Sequence, residues 1–154
     1  MKKVIKLNAI PEKSLVLNGF GEVHYNDTYQ IQKSTELNAK EISNEIMKLP
    51  CWAVALVKLR NLIVGIFGLK TDKANKEQDT FFTLIEKNEN EIVMGEADKH
   101  LDFRVSVMKN EQENTISITT IVHFNNVWGR IYFFPVKPFH IIVMKTLMRN
   151  YLKK

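Results

Sequence analysis

Cysteine is nearly missing from this chain. Cys51 is the one example in 154 residues, so no internal disulfide can staple the fold, and a reducing compartment is the natural setting. Four prolines and six glycines are too few for a collagen-like or linker-like polymer. Long uncharged apolar runs are missing as well. Lys6, Asn8 and Pro11 interrupt the apolar residues that follow Lys2 and Lys3, whereas a secretory signal needs about 7 to 15 unbroken apolar positions. The longest apolar region, Cys51 to Leu69, holds Lys58, Arg60 and Asn61 at its middle, and a membrane-spanning helix needs about 20 nearly uncharged residues. These gaps together predict a soluble cytoplasmic protein without a membrane partner.

An excess of one charge is small too. There are 22 Lys+Arg against 17 Asp+Glu, a net +5. Setting aside the five lysines at the two ends (Lys2, Lys3, Lys6, Lys153, Lys154) leaves 17 cations against 17 anions. Terminal lysines confer solubility and need no polyanion to explain them. No arginine stripe or aromatic-basic stacking motif is present, so no nucleic-acid partner is expected. What the chain does have is 45% hydrophobic and 25% charged residues, the make-up of a globular domain. The reading is one domain over residues 1–154, with residues 1–19 as an extended arm.

Periodicity then orders the chain. Val23 to Ile31 alternates as a strand with Tyr25, Asp27, Tyr29 and Ile31 on one side. A carboxylate on that mainly apolar side either finds a partner or sits at a strand end. Asn38 and Glu41 form an N-cap pair, and Ile42, Ile46 and Leu49 give a helical stripe ended by Pro50. A second helix is expected from Cys51, its stripe being Trp52, Leu56, Leu59, Ile63 and Ile66. Residues 70–79 read as a surface loop. From Thr80 the period becomes two: a hairpin about Lys87–Asn90, a strand from Leu101 to Val107, and its partner from Thr115 to Phe124. Pro138 marks the first turn of a last helix running from Lys137 to about Lys153, roughly 25 Å long. Such an order predicts an α+β fold, an antiparallel sheet with helices on one face. A sheet curved around the terminal helix would leave a hollow for a ligand.

Several residue groups resemble one bacterial family, the domain of unknown function 2867. They are Tyr25-x-Asp27-x-Tyr29, Pro50-x-Trp52, Leu59-Arg60-Asn61, the run Gly95 to Arg104, Gly129-Arg130 with Tyr132, and Pro138-Phe139-His140. The resemblance spans residue 20 to the C-terminus. It implies a helix-grip fold, similar to START lipid-transfer domains and polyketide cyclases, in which a curved antiparallel sheet wraps around a long C-terminal helix with two helices after the first strand. Family members occur alone or beside short-chain-dehydrogenase-like domains, and no activity is established for them. Gly19-x-Gly21 lacks the third glycine and the following helix of a dinucleotide fingerprint, so no cofactor is expected.

His100, Asp102 and Arg104 share one face of a strand, a base, an acid and a cation together. They are the candidates for acid-base work (His100, Asp102) and for anion binding (Arg104). The same alternation sends Leu101, Phe103, Val105 and Val107 to the core, which leaves the charged row on the solvated side, so both readings stand. Tyr132, His140, Arg60 and Tyr29 complete the ligand-binding candidates, Arg60 being also a potential ion-pair partner of Asp27 or Asp102. The other histidines are scattered and no metal site is expected. Three functions follow: a binder of a small hydrophobic or amphipathic molecule between sheet and helix, an enzyme of cyclase or hydratase type using that space, or an interaction module for a dehydrogenase-like partner or a second copy. A module of the last kind would expose an apolar patch.

Overall fold

The computed structural model describes residues 3–51, 54, 58 and 82–154. Six strands make one antiparallel sheet in the order β1-β2-β6-β5-β4-β3. The strands are β1 (Ile5–Leu7), β2 (Tyr25–Gln32), β3 (Thr83–Lys87), β4 (Glu91–Ala97), β5 (Leu101–Asn110) and β6 (Thr115–Phe124). Among the described residues, helices α1 (Ala39–Ile46) and α2 (Val127–Lys153) lie on its inner face. This is an α+β architecture of the helix-grip type, a curved open sheet holding a long C-terminal helix.

Alternation does what it promises. On β5, Leu101, Val105 and Val107 are buried inward, and Ile116 and Ile118 of β6 join them. Ile42 and Ile46 of α1 close this core from above, with Met144, Leu147, Met148, Tyr151 and Leu152 of α2. The α1 start carries a full capping box: the Asn38 side chain accepts from Glu41 N–H at 3.0 Å, and the Glu41 carboxylate accepts from Asn38 N–H at 2.8 Å. Because that box satisfies two otherwise orphaned donors, Asn38→Ala is expected to cost about 1 kcal/mol, read from the midpoint of urea unfolding.

The outer face is covered as well. The segment expected to be a plain arm contains β1, paired to β2, and a short 3-10 turn at Leu15–Leu17. Val16 from that turn packs with Val93 and Ile121, flanked by Ile10, Leu15, Phe20 and Val23. Buried Glu91 fastens it, accepting from the Ser14 hydroxyl at 2.5 Å, from Leu15 N–H at 2.8 Å, and from the Ser106 hydroxyl.

The terminal helix differs from its expected bounds. It starts at Val127, ten residues before Lys137, and Pro135 and Pro138 lie inside it. Asn126 is the true cap, its side chain accepting from Gly129 N–H at 3.1 Å. An interior proline deprives the carbonyl four residues earlier of its donor, here those of Ile131 and Phe134. Both residues are exposed, at 56% and 83%, so these turns lie on the solvent side, and the helix continues through both prolines. The expected second helix falls largely on residues outside those described, as do Trp52, Leu56, Leu59, Ile63, Ile66 and Arg60.

Candidate functional site

Three side chains of β2, Tyr25, Asp27 and Tyr29, point to the inner face because alternate residues of a strand share a side. Thr120 of β6 stands directly opposite Asp27. From above, α2 lowers His140 onto the Asp27 carboxylate, Nε2 lying 3.2 Å from Oδ2 and 3.4 Å from Oδ1. Tyr25 Oη donates to Oδ2 at 2.7 Å. Phe133 packs on the Tyr25 ring at 4.9 Å, and the Lys137 ammonium lies 5.1 Å over the same ring.

Asp27 is 1% exposed. Burial alone would push its carboxyl up; hydrogen bonding and charge from His140, the Tyr25 hydroxyl and the charge of Lys6 outweigh burial and hold it below the ordinary carboxylate range. The carboxylate is therefore ionised, and the facing His140 nitrogen, Nε2, carries a proton. Tyr29 responds in the opposite sense. Burial, then the neighbouring Asp27 charge, push its phenol up to about 12, and burial with the Asp27 contact raises Tyr25 also.

Two hydroxyls in this layer stand out. Among the described residues, Tyr29 Oη and Thr120 Oγ1 are buried without a hydrogen-bond partner. A buried hydroxyl left unpaired costs about 1 to 3 kcal/mol, so each calls for a group that meets it. The arrangement as a whole offers a fixed carboxylate, an imidazole held against it, and two free hydroxyls, bordered by the rings of Tyr25 and Phe133.

Of the residues singled out from the sequence, the structure brings His140 and Tyr29 into this layer. Tyr132 is half-buried on α2, two turns before His140. The charged row on β5 is elsewhere. Asp102 and Arg104 face away from α2: Arg104 Nη1 donates to the carbonyls of Val16 and Asn18 at 3.1 and 2.5 Å, and its guanidinium lies 5.1 Å over the Phe20 ring. The proposed anion binder is thus a clamp for the outer segment. Asp102 accepts from the Asn125 side chain at 3.1 Å, and His100 Nδ1 donates to Asn126 Oδ1 at 3.1 Å, so these two brace the start of α2. Arg60 lies outside the described residues; among the described residues Asp27 pairs with His140 and with the Tyr25 hydroxyl.

The interior over the lower half of α2 is filled by side chains, Ile31, Ile118, Met144 and Met148 among them. A polar cleft of about 230 Å³ opens at the far end of β2, bordered by Lys33, Thr35, Lys109, Glu111 and Asn114. It is separate from the Asp27 layer. Sequence reasoning missed Asp27 and Tyr25 as site residues. The available signal was the carboxylate on an otherwise apolar strand face.

A family model described as "Protein of unknown function (DUF2867)" matches residues 20–147. No curated protein and no solved structure matches the chain.

Proposed function

Because the chain belongs to that family, whose description assigns no activity, we propose a function from its own geometry: the domain binds a small amphipathic molecule where β2 meets α2. The observation that carries this reading is the pair of buried, unpartnered hydroxyls, Tyr29 Oη and Thr120 Oγ1, beside the Asp27–His140 contact. A ligand whose polar end is a neutral hydroxyl or carbonyl satisfies both. An anionic end would meet the Asp27 carboxylate and be repelled. The apolar body lies against Phe133 and Phe124, whose rings are 5.5 Å apart, under the first half of α2. That half carries both interior prolines, each of which removes one intrahelical hydrogen bond.

Native mass spectrometry of the purified protein tests the reading together with the double variant Tyr29→Phe/Thr120→Val. The wild type is expected to carry a small-molecule mass that disappears in denaturing spectra and is absent from the double variant. Against wild type stripped of its ligand by unfolding and refolding, the variant, freed of two unmet hydroxyls, should be more stable by about 1 kcal/mol in urea unfolding. A wild type without any adduct and a variant less stable than its parent would show both hydroxyls to be satisfied in solution, and would end the proposal.

The Asp27–His140 contact favours a second reading, in which the bound molecule undergoes proton transfer at His140. A carboxylate that fixes an imidazole and sets its tautomer is a recurrent acid-base device. Under this reading His140→Gln retains the adduct and loses turnover.

A further inference from the structure

The outward side of α2 is apolar where solvent should meet polar groups. Val127, Trp128, Ile131, Phe134, Phe139 and Ile142 recur at spacings of one, three and five residues along four turns and are 50% to 83% exposed. They lie opposite the side that carries Gly129, Phe133, His140 and Met144 onto the sheet. Their combined exposed surface is on the order of 700 Å², larger than the biggest apolar patch of a typical monomer. Pro135 and Pro138 sit within the same exposed strip.

Charge decides what covers this face. Between Val127 and Lys153 the chain has five cations, Arg130, Lys137, Lys145, Arg149 and Lys153, and no Asp or Glu. Arg130 and Lys137 flank the apolar strip, Arg130 resting 5.0 Å over the Phe124 ring, and Arg149 continues the outward side beyond Ile142. Two copies docked through this helix would place cation rows against each other with no acidic residue of either helix to meet them. An anionic surface with an apolar interior meets both features.

We propose that α2 docks the protein on an anionic phospholipid bilayer, lying in the plane of the interface. Trp128, Phe134 and Phe139 enter the boundary between headgroups and acyl chains while the cations meet the lipid phosphates. The helix is long and apolar enough by length and composition to cross a membrane, but its second half supplies Met144, Leu147, Met148, Tyr151 and Leu152 to the core. Spanning would dismantle that core; surface docking leaves it intact. The apolar positions of this face are dispersed along the sequence and converge only once the helix forms.

The full chain is sedimented with vesicles of phosphatidylcholine alone and of phosphatidylcholine mixed with phosphatidylglycerol, and its oligomeric state is followed by light scattering. The mixed vesicles should bind it at least about tenfold more tightly, with the gain shrinking as salt rises. Phe134→Glu and Trp128→Ser should each reduce that binding by about tenfold, while thermal unfolding by circular dichroism stays at the wild-type midpoint because both side chains are exposed. Arg130→Gln/Lys137→Gln should weaken binding to the mixed vesicles alone. Failure of the wild type to sediment with mixed vesicles overturns the proposal. A dimer that Phe134→Glu converts to monomer also overturns it, by assigning the face to a second copy.

Discussion

Asp27→Ala is expected to lower the unfolding free energy by about 3 kcal/mol, measured by urea denaturation at neutral pH. The carboxylate is 1% exposed and accepts from Tyr25 Oη and His140 Nε2, so its removal strands two polar groups and opens a gap between β2 and α2. Asp27→Asn keeps an acceptor for Tyr25 while losing the charge, and should cost about half as much, roughly 1.5 kcal/mol. The pH dependence has a definite sign. Since the folded carboxyl is held below its ordinary value, its contribution is present above about pH 4 and is lost as pH falls through the folded value. Tyr29 and Tyr25, both raised, act on the other limb: Tyr29, pushed up to about 12 in the fold, contributes fully below about pH 10 and loses that contribution as pH rises through the folded value. Asp27→Ala should therefore flatten the acid limb of a stability profile.

Gly129→Ala should be the other severe substitution, destabilising by about 3 kcal/mol. A Cβ built on Gly129 collides with the backbone carbonyl of His100. That carbonyl cannot rotate away, because it also accepts from Asn125 N–H at 2.9 Å, and Asn125 and Asn126 hold the turn before β5 through the carbonyls of Asp98 and Lys99. The first turns of α2 must lift off instead, taking Phe133 from Tyr25. Circular dichroism gives the loss of stability, and amide exchange over residues 127–140 should accelerate more than exchange in β5 and β6. Equal acceleration everywhere would mean that the close approach at Gly129 is not what seats this helix.

Much of the fold was written in local pattern. Period-two alternation placed Leu101, Val105, Ile116 and Ile118 on the inner face, and the Asn38–Glu41 spacing located the start of α1. These signals are short-range and survive into the fold because burial and capping act on the same few residues. The start of α2 was hidden for the opposite reason. Proline ordinarily ends or opens a helix, and what accompanies its tolerance here, Gly129 seated on His100 and the exposed positions Ile131 and Phe134, involves distant or surface context that no window of sequence contains. The site was half legible. Tyr29 and His140, both candidates from the sequence, lie in the Asp27 layer, and Asp27 was noticed as a carboxylate in need of a partner. The pairing of Asp27 with a residue 113 positions away depends on how α2 crosses the sheet. Alternation also gave warning that Arg104 faces outward; the similarity at those residues competed with it, and the clamp on Val16 and Asn18 resolves that conflict in favour of alternation.

The pairing of β2 with β6 joins Tyr25–Gln32 to residues some ninety positions later. Among the described residues, β1 offers β2 only three paired residues on its other edge. The closing of so large a loop must precede the reward of pairing, which makes for slow, late assembly. During synthesis at the ribosome β2 therefore waits, one flank without its main neighbour, until β6 emerges. Chaperone demand should concentrate in that interval.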